Sequence, residues 1–243
     1  MSGSARRASI AKRARRVLRW LGIAAAGFAL VSVIAVGLLR WIDPPTSAFM
    51  LRHQLIGRLG DSAPPFVYHE WVDWQAVPAS VALAAVAAED QRFPRHNGFD
   101  LVEMRKAWQR HQRGGPLRGA STISQQTAKN LFLWPGRDWL RKALEAWFTV
   151  LIEGLWPKQR ILEVDLNLAQ FSPDTFGVGA ASWRYFDRPA TALEPGQAAL
   201  MAAVLPNPER YRLDAPSERV RQRAAWIQRQ MRQLGGSSYL NGF

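Results

Sequence analysis

The strongest constraint on this chain is a run of twenty residues without a charge, WLGIAAAGFALVSVIAVGLL, from Trp20 to Leu39. A helix rises about 1.5 Å per residue, so such a run crosses a hydrocarbon layer of roughly 30 Å. Trp20 and Trp41 stand at its two ends, where indole rings favour a membrane interface. Before it come Arg6, Arg7, Lys12, Arg13, Arg15, Arg16 and Arg19, and no acid occurs until Asp43. By the positive-inside rule the N-terminus stays in the cytoplasm and the remaining chain is exported. A cleaved signal peptide is the competing reading, but the run is longer than a usual signal core and no small-residue cleavage site follows Leu39. A basic tail over 1–19, a membrane helix over 20–41 and a Pro-containing neck over 42–64 are expected.

Without the seven tail cations, the chain still carries 25 Lys+Arg against 19 Asp+Glu, a net +6. A basic exported domain tethered to a bilayer suits anionic lipid or a phosphate-bearing substrate. No zinc-finger, RRM or basic-zipper pattern points to nucleic acid. The chain has no cysteine, which excludes disulfides and thiolate metal sites. Its histidines, His53, His69, His96 and His111, lack the close spacing of a zinc helix, so no metal ligand is assigned.

From Trp71 onward helical patterns follow one another, with no convincing alternation of strand residues, so the domain is expected to be mainly α. Ala79 to Ala88 holds one hydroxyl and no charge, reading as a buried helix that Pro78 can start. It ends in Glu89 and Asp90. A carboxylate there meets an apolar wall and the helix's negative pole, and both favour its protonated form. The loop beyond carries Phe93, His96, Gly98 and Asp100, with a capped turn as the plain alternative.

In RGASTISQQTAKN, Arg118 to Asn130, Ser121 is the expected N-cap, and Thr122, Gln125, Gln126 and Lys129 fall on one helical stripe. That stripe either faces water or lines a polar cleft. Further on, Leu140, Leu144, Trp147, Phe148, Leu151 and Leu155 are the expected apolar stripe of a helix. Arg141 and Glu145 lie one turn apart on it, as a surface ion pair or as a cationic cradle beside a second carboxylate. Polar Glu163, Asp165, Asn167 and Gln170 interrupt an otherwise apolar helix and suggest an internal hydrogen-bonded network. In Pro216 to Leu234, Ser217 can cap a helix whose apolar positions are Val220, Ala224, Ile227, Met231 and Leu234. Arg219, Arg221, Arg223, Arg229 and Arg232 form its polar side, so this helix either docks on the core or lies on anionic lipid.

These stretches together resemble the peptidoglycan glycosyltransferase family, specifically its monofunctional, membrane-anchored biosynthetic transglycosylases. The residues that carry the resemblance are Glu89-Asp90-x-x-Phe93-x-x-His96-x-Gly98-x-Asp100 and Gly119-x-Ser121-Thr122-Ile123-x-Gln125-Gln126-x-x-Lys129-Asn130. Arg141-Lys142-x-x-Glu145 and Ile161-Leu162-Glu163-x-x-Leu166-Asn167 follow in order, and the similarity covers about residues 65–215.

The resemblance implies a lysozyme-like, mostly helical glycosyltransferase domain, with a C-terminal helix and tail over 216–243. It implies polymerisation of lipid II into β-1,4 glycan strands, with inversion and release of undecaprenyl pyrophosphate. Glu89 is then the base acting on the acceptor 4-hydroxyl. Lys129, Arg137, Arg141 and Lys142 face the pyrophosphate, and Glu145 orients that cluster. Ser121, Gln125, Gln126 and Asn130 bind sugar hydroxyls and phosphate oxygens, and Asp90, Phe93, His96, Gly98, Thr122 and Asn167 are further substrate-binding positions.

No cofactor is required, although the pyrophosphate offers a place for a divalent cation, Mg or Mn. Lipid II, the growing glycan strand and the bilayer are the expected partners, with penicillin-binding and division proteins as candidates and nucleic acid excluded. The expected location is the bacterial inner membrane, with the catalytic domain on the periplasmic side. Asp165 stands where a tyrosine is common in the family, and Gln170 and Ser172 where a Glu and a Gly are common. The sequence has no Lys-Ser/Thr-Gly triplet, and its only Ser-x-x-Lys is Ser9 to Lys12 in the tail, so a penicillin-binding half is not expected. A lytic muramidase and a catalytically weak division scaffold are the alternatives.

Overall fold

The computed structural model describes residues 3–59, 66–115, 121–136 and 138–242, with only the backbone of 3–11, 14, 58 and 59. The chain divides into two compact units, residues 1–42 and 43–243. The first is one helix, α1 (Gly3–Leu38), with no break between the basic tail and the apolar run. Its stretch Arg15–Leu38 is 24 residues long and apolar enough to cross a membrane. Leu18, Leu21, Leu30, Val31 and Ile34 are exposed on it, while Ser32 and Val36 near its C-terminal end are buried.

The second unit contains α2 (Ala48–Leu59), β1 (Tyr68–His69), α3 (Ala79–Glu89), α4 (Leu101–Gln112), α5 (Ile123–Phe132), α6 (Trp139–Leu155) and α7 (Lys158–Leu168). It continues with β2 (Gln170–Ser172), β3 (Thr175–Phe176), α8 (Val178–Phe186), α9 (Pro195–Val204) and α10 (Glu218–Gln233). The residues expected as a spacer therefore contribute a helix, and α2 packs on α5 inside the domain.

α3 is the axis of the core. Val81 through Ala87 are all buried, because α9 and α10 cover the helix on one side and the final turn, Gly236–Gly242, closes over it. Its small side chains allow these neighbours to approach closely. α5 lies between α6 and α7 as a second layer.

A three-stranded sheet in the order β1-β3-β2, which the sequence pattern did not signal, joins the ends. β1 runs parallel to β3 with Tyr68 opposite Thr175, and β2 runs antiparallel to β3 with an irregularity between Gln170 and Ser172. Strands of two or three residues are too short for alternation to be seen. Asn167 ties this corner together: its amide accepts from Val72 N at 2.8 Å and donates to Val72 O and Glu163 O, each at 2.9 Å. Glu163 accepts from Trp74 N at 2.8 Å, so Glu163 and Asn167 form an internal network, whereas Asp165 accepts from Thr127 and Gln170, expected on the helix, lies in β2 and donates to Pro173 O.

Two expectations need correction. The N-cap of α5 is Thr122, not Ser121: Thr122 Oγ1 accepts from Gln125 N while Gln125 Oε1 accepts from Thr122 N, a reciprocal capping box. On α6 the buried face is Arg141, Glu145, Phe148, Thr149 and Ile152, whereas Leu140 is 65 % exposed. Arg141 turns inward to pair with Glu145, Thr149 donates to the Glu145 carbonyl, and the leucine that begins the expected stripe faces outward.

Candidate active site

Glu89 is the last residue of α3, where the buried helix emerges, and it lines two cavities. One, of 460 Å³, is also lined by Asp90, Asp100, Ser121, Thr122 and Trp226. The other, of 170 Å³, is lined by Gln126, Lys129, Asn130, Asp165 and Phe49. Both oxygens of the Glu89 carboxylate hold donors. Gln126 Nε2 donates to Oε2 at 3.2 Å, and Arg223 Nη2 donates to Oε1 at 3.2 Å. Burial raises the Glu89 pKa above the usual carboxylate range, against the pull of Gln126, Arg223 and Lys129.

Lys129 sits one turn beyond Gln126, with its ammonium 5.6 Å from the centre of the Phe49 ring. Burial lowers its pKa, opposed chiefly by Glu145, and Arg141 and Lys142 lower it further as neighbouring like charges. The cation cluster is thus electrostatically one group with Lys129. Arg141 Nη1 donates to Glu145 Oε2 at 2.6 Å, and Lys142 Nζ donates to the other oxygen. Arg141 and Glu145 are buried, so this is not the exposed ion pair of the plainer reading. Arg137 lies outside the described residues.

Asp165 reaches the same cavity from α7. It accepts from Thr127 Oγ1 at 3.2 Å, and burial pushes its carboxyl up to about 7, with Glu89 adding to the rise and Lys129 opposing it.

The other candidate positions build the frame. Asp90 accepts from Ile123 N at 3.1 Å, which joins the end of α3 to the start of α5. His96 Nε2 lies 3.0 Å from both Asp90 oxygens. Gly98 O accepts from Thr122 Oγ1 at 2.6 Å. Phe93 is fully buried beneath Lys158, whose ammonium is 4.4 Å from the ring centre. Gln125 is held in the capping box and Asn167 at the sheet corner. Of the candidate positions, Glu89, Gln126, Lys129 and Asn130 line one cavity, and Glu89, Asp90, Ser121 and Thr122 line the other.

Asp90, His96 and Asp100 also offer potential metal-ligand atoms within 4.8 Å of one another. Those atoms already have partners: Asp90 holds His96 and Ile123 N, and Asp100 caps α4 through Val102 N and Glu103 N.

Three cleft residues were not signalled by the sequence blocks. Phe49 belongs to the expected neck, Trp226 to the C-terminal helix, and Arg223 to the arginines assigned to that helix's polar side. Arg223 borders the apolar stripe of Val220, Ala224 and Ile227 that docks α10 on the core. Arg221 and Arg229 are exposed.

A family model described as Transglycosylase matches residues 56–232, from within α2 to the last turn of α10. The chain belongs to the transglycosylase family. A biosynthetic peptidoglycan transglycosylase of Xanthomonas euvesicatoria pv. vesicatoria is 52% identical over 232 residues, covering 95% of this chain and 93% of that protein. One of Xanthomonas axonopodis pv. citri is 51% identical over 230 residues, covering 94% and 93%. One of Pseudomonas aeruginosa is 47% identical over 232 residues, covering 96% and 97%.

Proposed function

We propose that this chain is a peptidoglycan glycosyltransferase that polymerises lipid II into linear β-1,4 glycan strands in bacterial cell wall synthesis. The observation that carries this reading is the setting of Glu89: a desolvated carboxylate at the end of an apolar helix, lining one cavity that holds Lys129 and a second of 460 Å³. The names of the relatives point the same way.

In this reading the Lys129 cavity receives the pyrophosphate end of the donor strand, and the larger cavity receives the acceptor. Glu89 takes the proton from the acceptor 4-hydroxyl as that oxygen bonds to the donor's anomeric carbon. The carbon–oxygen bond to the pyrophosphate breaks on the opposite face, and the configuration inverts. A base works best when its pKa approaches the working pH, which is the direction burial moves Glu89.

Lys129 meets the charge that develops on the leaving oxygen, with Arg141 and Lys142 behind it and Glu145 fixing their orientation. The fixed side chains there do not suit a divalent cation held by the protein. Lys129, Arg141 and Lys142 repel it, and both Glu145 oxygens are held by those cations.

The apolar stretch Arg15–Leu38 anchors the domain in this reading, with the basic N-terminus cytoplasmic and the domain outside, beside its lipid-linked substrate. Penicillin-binding and division proteins are proposed partners. Incubating the purified full chain with labelled lipid II tests the function. Polymer supports it, cleavage of finished glycan alone supports a muramidase, and no product supports a scaffold.

A further inference from the structure

We propose that Arg223, on the C-terminal helix α10, is a positioning residue for the base: it keeps Glu89 ionised and turned into the cleft before the acceptor arrives. This inference rests on Glu89 being the base.

The geometry is specific. Arg223 Nη2 is 3.2 Å from Glu89 Oε1 and 3.5 Å from the carbonyl oxygen of Ala88, so one nitrogen contacts both the carboxylate and the C-terminal end of α3. That end carries a helix's partial negative charge, which together with burial disfavours a carboxylate. A cation at this place offsets both effects. Among the described residues, Arg223 is the one cation in an ion pair with Glu89.

Its position is set by docking. Val220, Ala224, Ile227 and Met231 are buried against the core, and Ser217 Oγ accepts from Val220 N at 3.4 Å to fix the start of the helix. Gln126 holds the second carboxylate oxygen from α5. The carboxylate is thus gripped by two elements that do not contain it, while α3 supplies only its backbone.

The other charged groups facing Glu89 are its neighbour Asp90, Lys129 from α5 and Asp165 from α7. Arg92, Asp100, Glu103 and Lys106 line the larger cavity with it. Asp165 and Glu89 repel each other when both are charged, and Lys129 is committed to the pyrophosphate in the proposed reaction. Arg223 is the cation left to hold the base throughout the cycle.

The experiment is a titration of Glu89 in the full chain, by NMR of 13C-labelled glutamate carboxylates, with the Glu89 signal identified by its loss in Glu89→Gln. Arg223→Gln is expected to raise the Glu89 pKa by about one unit and to move the acid limb of kcat/KM for lipid II the same way. Arg223→Lys keeps the charge and is expected to restore most of both. Arg229→Gln, an exposed arginine on the same helix, is the control and should change neither. An ion pair that serves the fold and not the base would move the Glu89 titration but leave the acid limb of kcat/KM in place, and that outcome also overturns the proposal. An unchanged Glu89 titration in folded Arg223→Gln overturns the proposal. If Arg223→Gln does not fold, Arg223→Lys and Arg223→Met decide between charge and packing, and equal titrations in those two overturn it. A Glu89→Gln enzyme that still polymerises lipid II overturns the underlying base assignment instead, which the titration alone does not touch.

Discussion

Arg141 donates to Glu145 across 2.6 Å, one helical turn apart and both buried, on a face of α6 that the sequence leaves open between a surface ion pair and a cationic cradle. Breaking a buried pair leaves an uncompensated charge, which costs about 3–5 kcal/mol. Glu145→Ala is therefore expected to lower stability by about 3 kcal/mol or more, and Glu145→Gln, which keeps an acceptor, by less. Denaturant unfolding of the domain measures both. Both variants should also lose polymerisation, because Lys129, Arg141 and Lys142 then repel one another without the Glu145 charge that offsets them.

Lys129→Ala removes the cation from the cavity that Glu89 lines. Losing one fixed donor to a developing oxyanion costs on the order of 100-fold in turnover, and a loss of that size is expected here. Single-turnover rates with lipid II measure it. A near-normal rate would return Lys129 to a structural role.

Much of this arrangement was legible in the chain. The buried α3 followed from ten residues holding one hydroxyl and no charge, and the two acids at its end stood out against that background. The capping box was also legible, since Thr122 and Gln125 have the required spacing of three, whereas Ser121 has Ser124 at that position. The inward face of α6 was not. Helical periodicity assigns leucines to the core, and only the partner geometry shows that Arg141, Glu145 and Thr149 satisfy one another and can be buried instead. Arg223 and Phe49 were out of reach for another reason. Arg223 meets Glu89 over a separation of 134 residues, a contact set by how α10 docks and not by any local pattern.

Gly98 has φ +85°, and a Cβ there would lie 2.7 Å from Thr149 Cγ2. Its carbonyl also holds Thr122, the cap of α5. Gly98→Ala is expected to destabilise the domain by about 1–3 kcal/mol through backbone strain alone, with the clash adding to it. Thermal unfolding checks this. Adding Thr149→Ser should recover part of the loss by removing the clashing methyl, while the φ strain stays.

Burial pushes the Asp165 carboxyl up to about 7, from an ordinary value of 3.8. Between those values the folded protein binds a proton that the unfolded chain has released. Stability from this group is complete below the unfolded value and is lost as pH rises through about 7. Asp165→Asn cannot ionise, so it escapes the loss. The variant is expected to gain about 1 kcal/mol or more on wild type between about pH 5 and pH 8. Paired denaturation curves at the two pH values measure the gain, and a gap independent of pH would mean that Asp165 titrates normally.

The central claim is that Glu89 removes the acceptor proton during lipid II polymerisation, and comparing initial rates of wild type and Glu89→Gln on labelled lipid II tests it most directly. The substitution is nearly isosteric; the amide oxygen can still accept from Arg223, and Gln126 can turn its own amide oxygen to accept from the new NH2 group, so the fold should be preserved. The account predicts no detectable polymer from a variant whose thermal unfolding matches wild type. A rate within tenfold of wild type, about 1.4 kcal/mol of barrier, would contradict it.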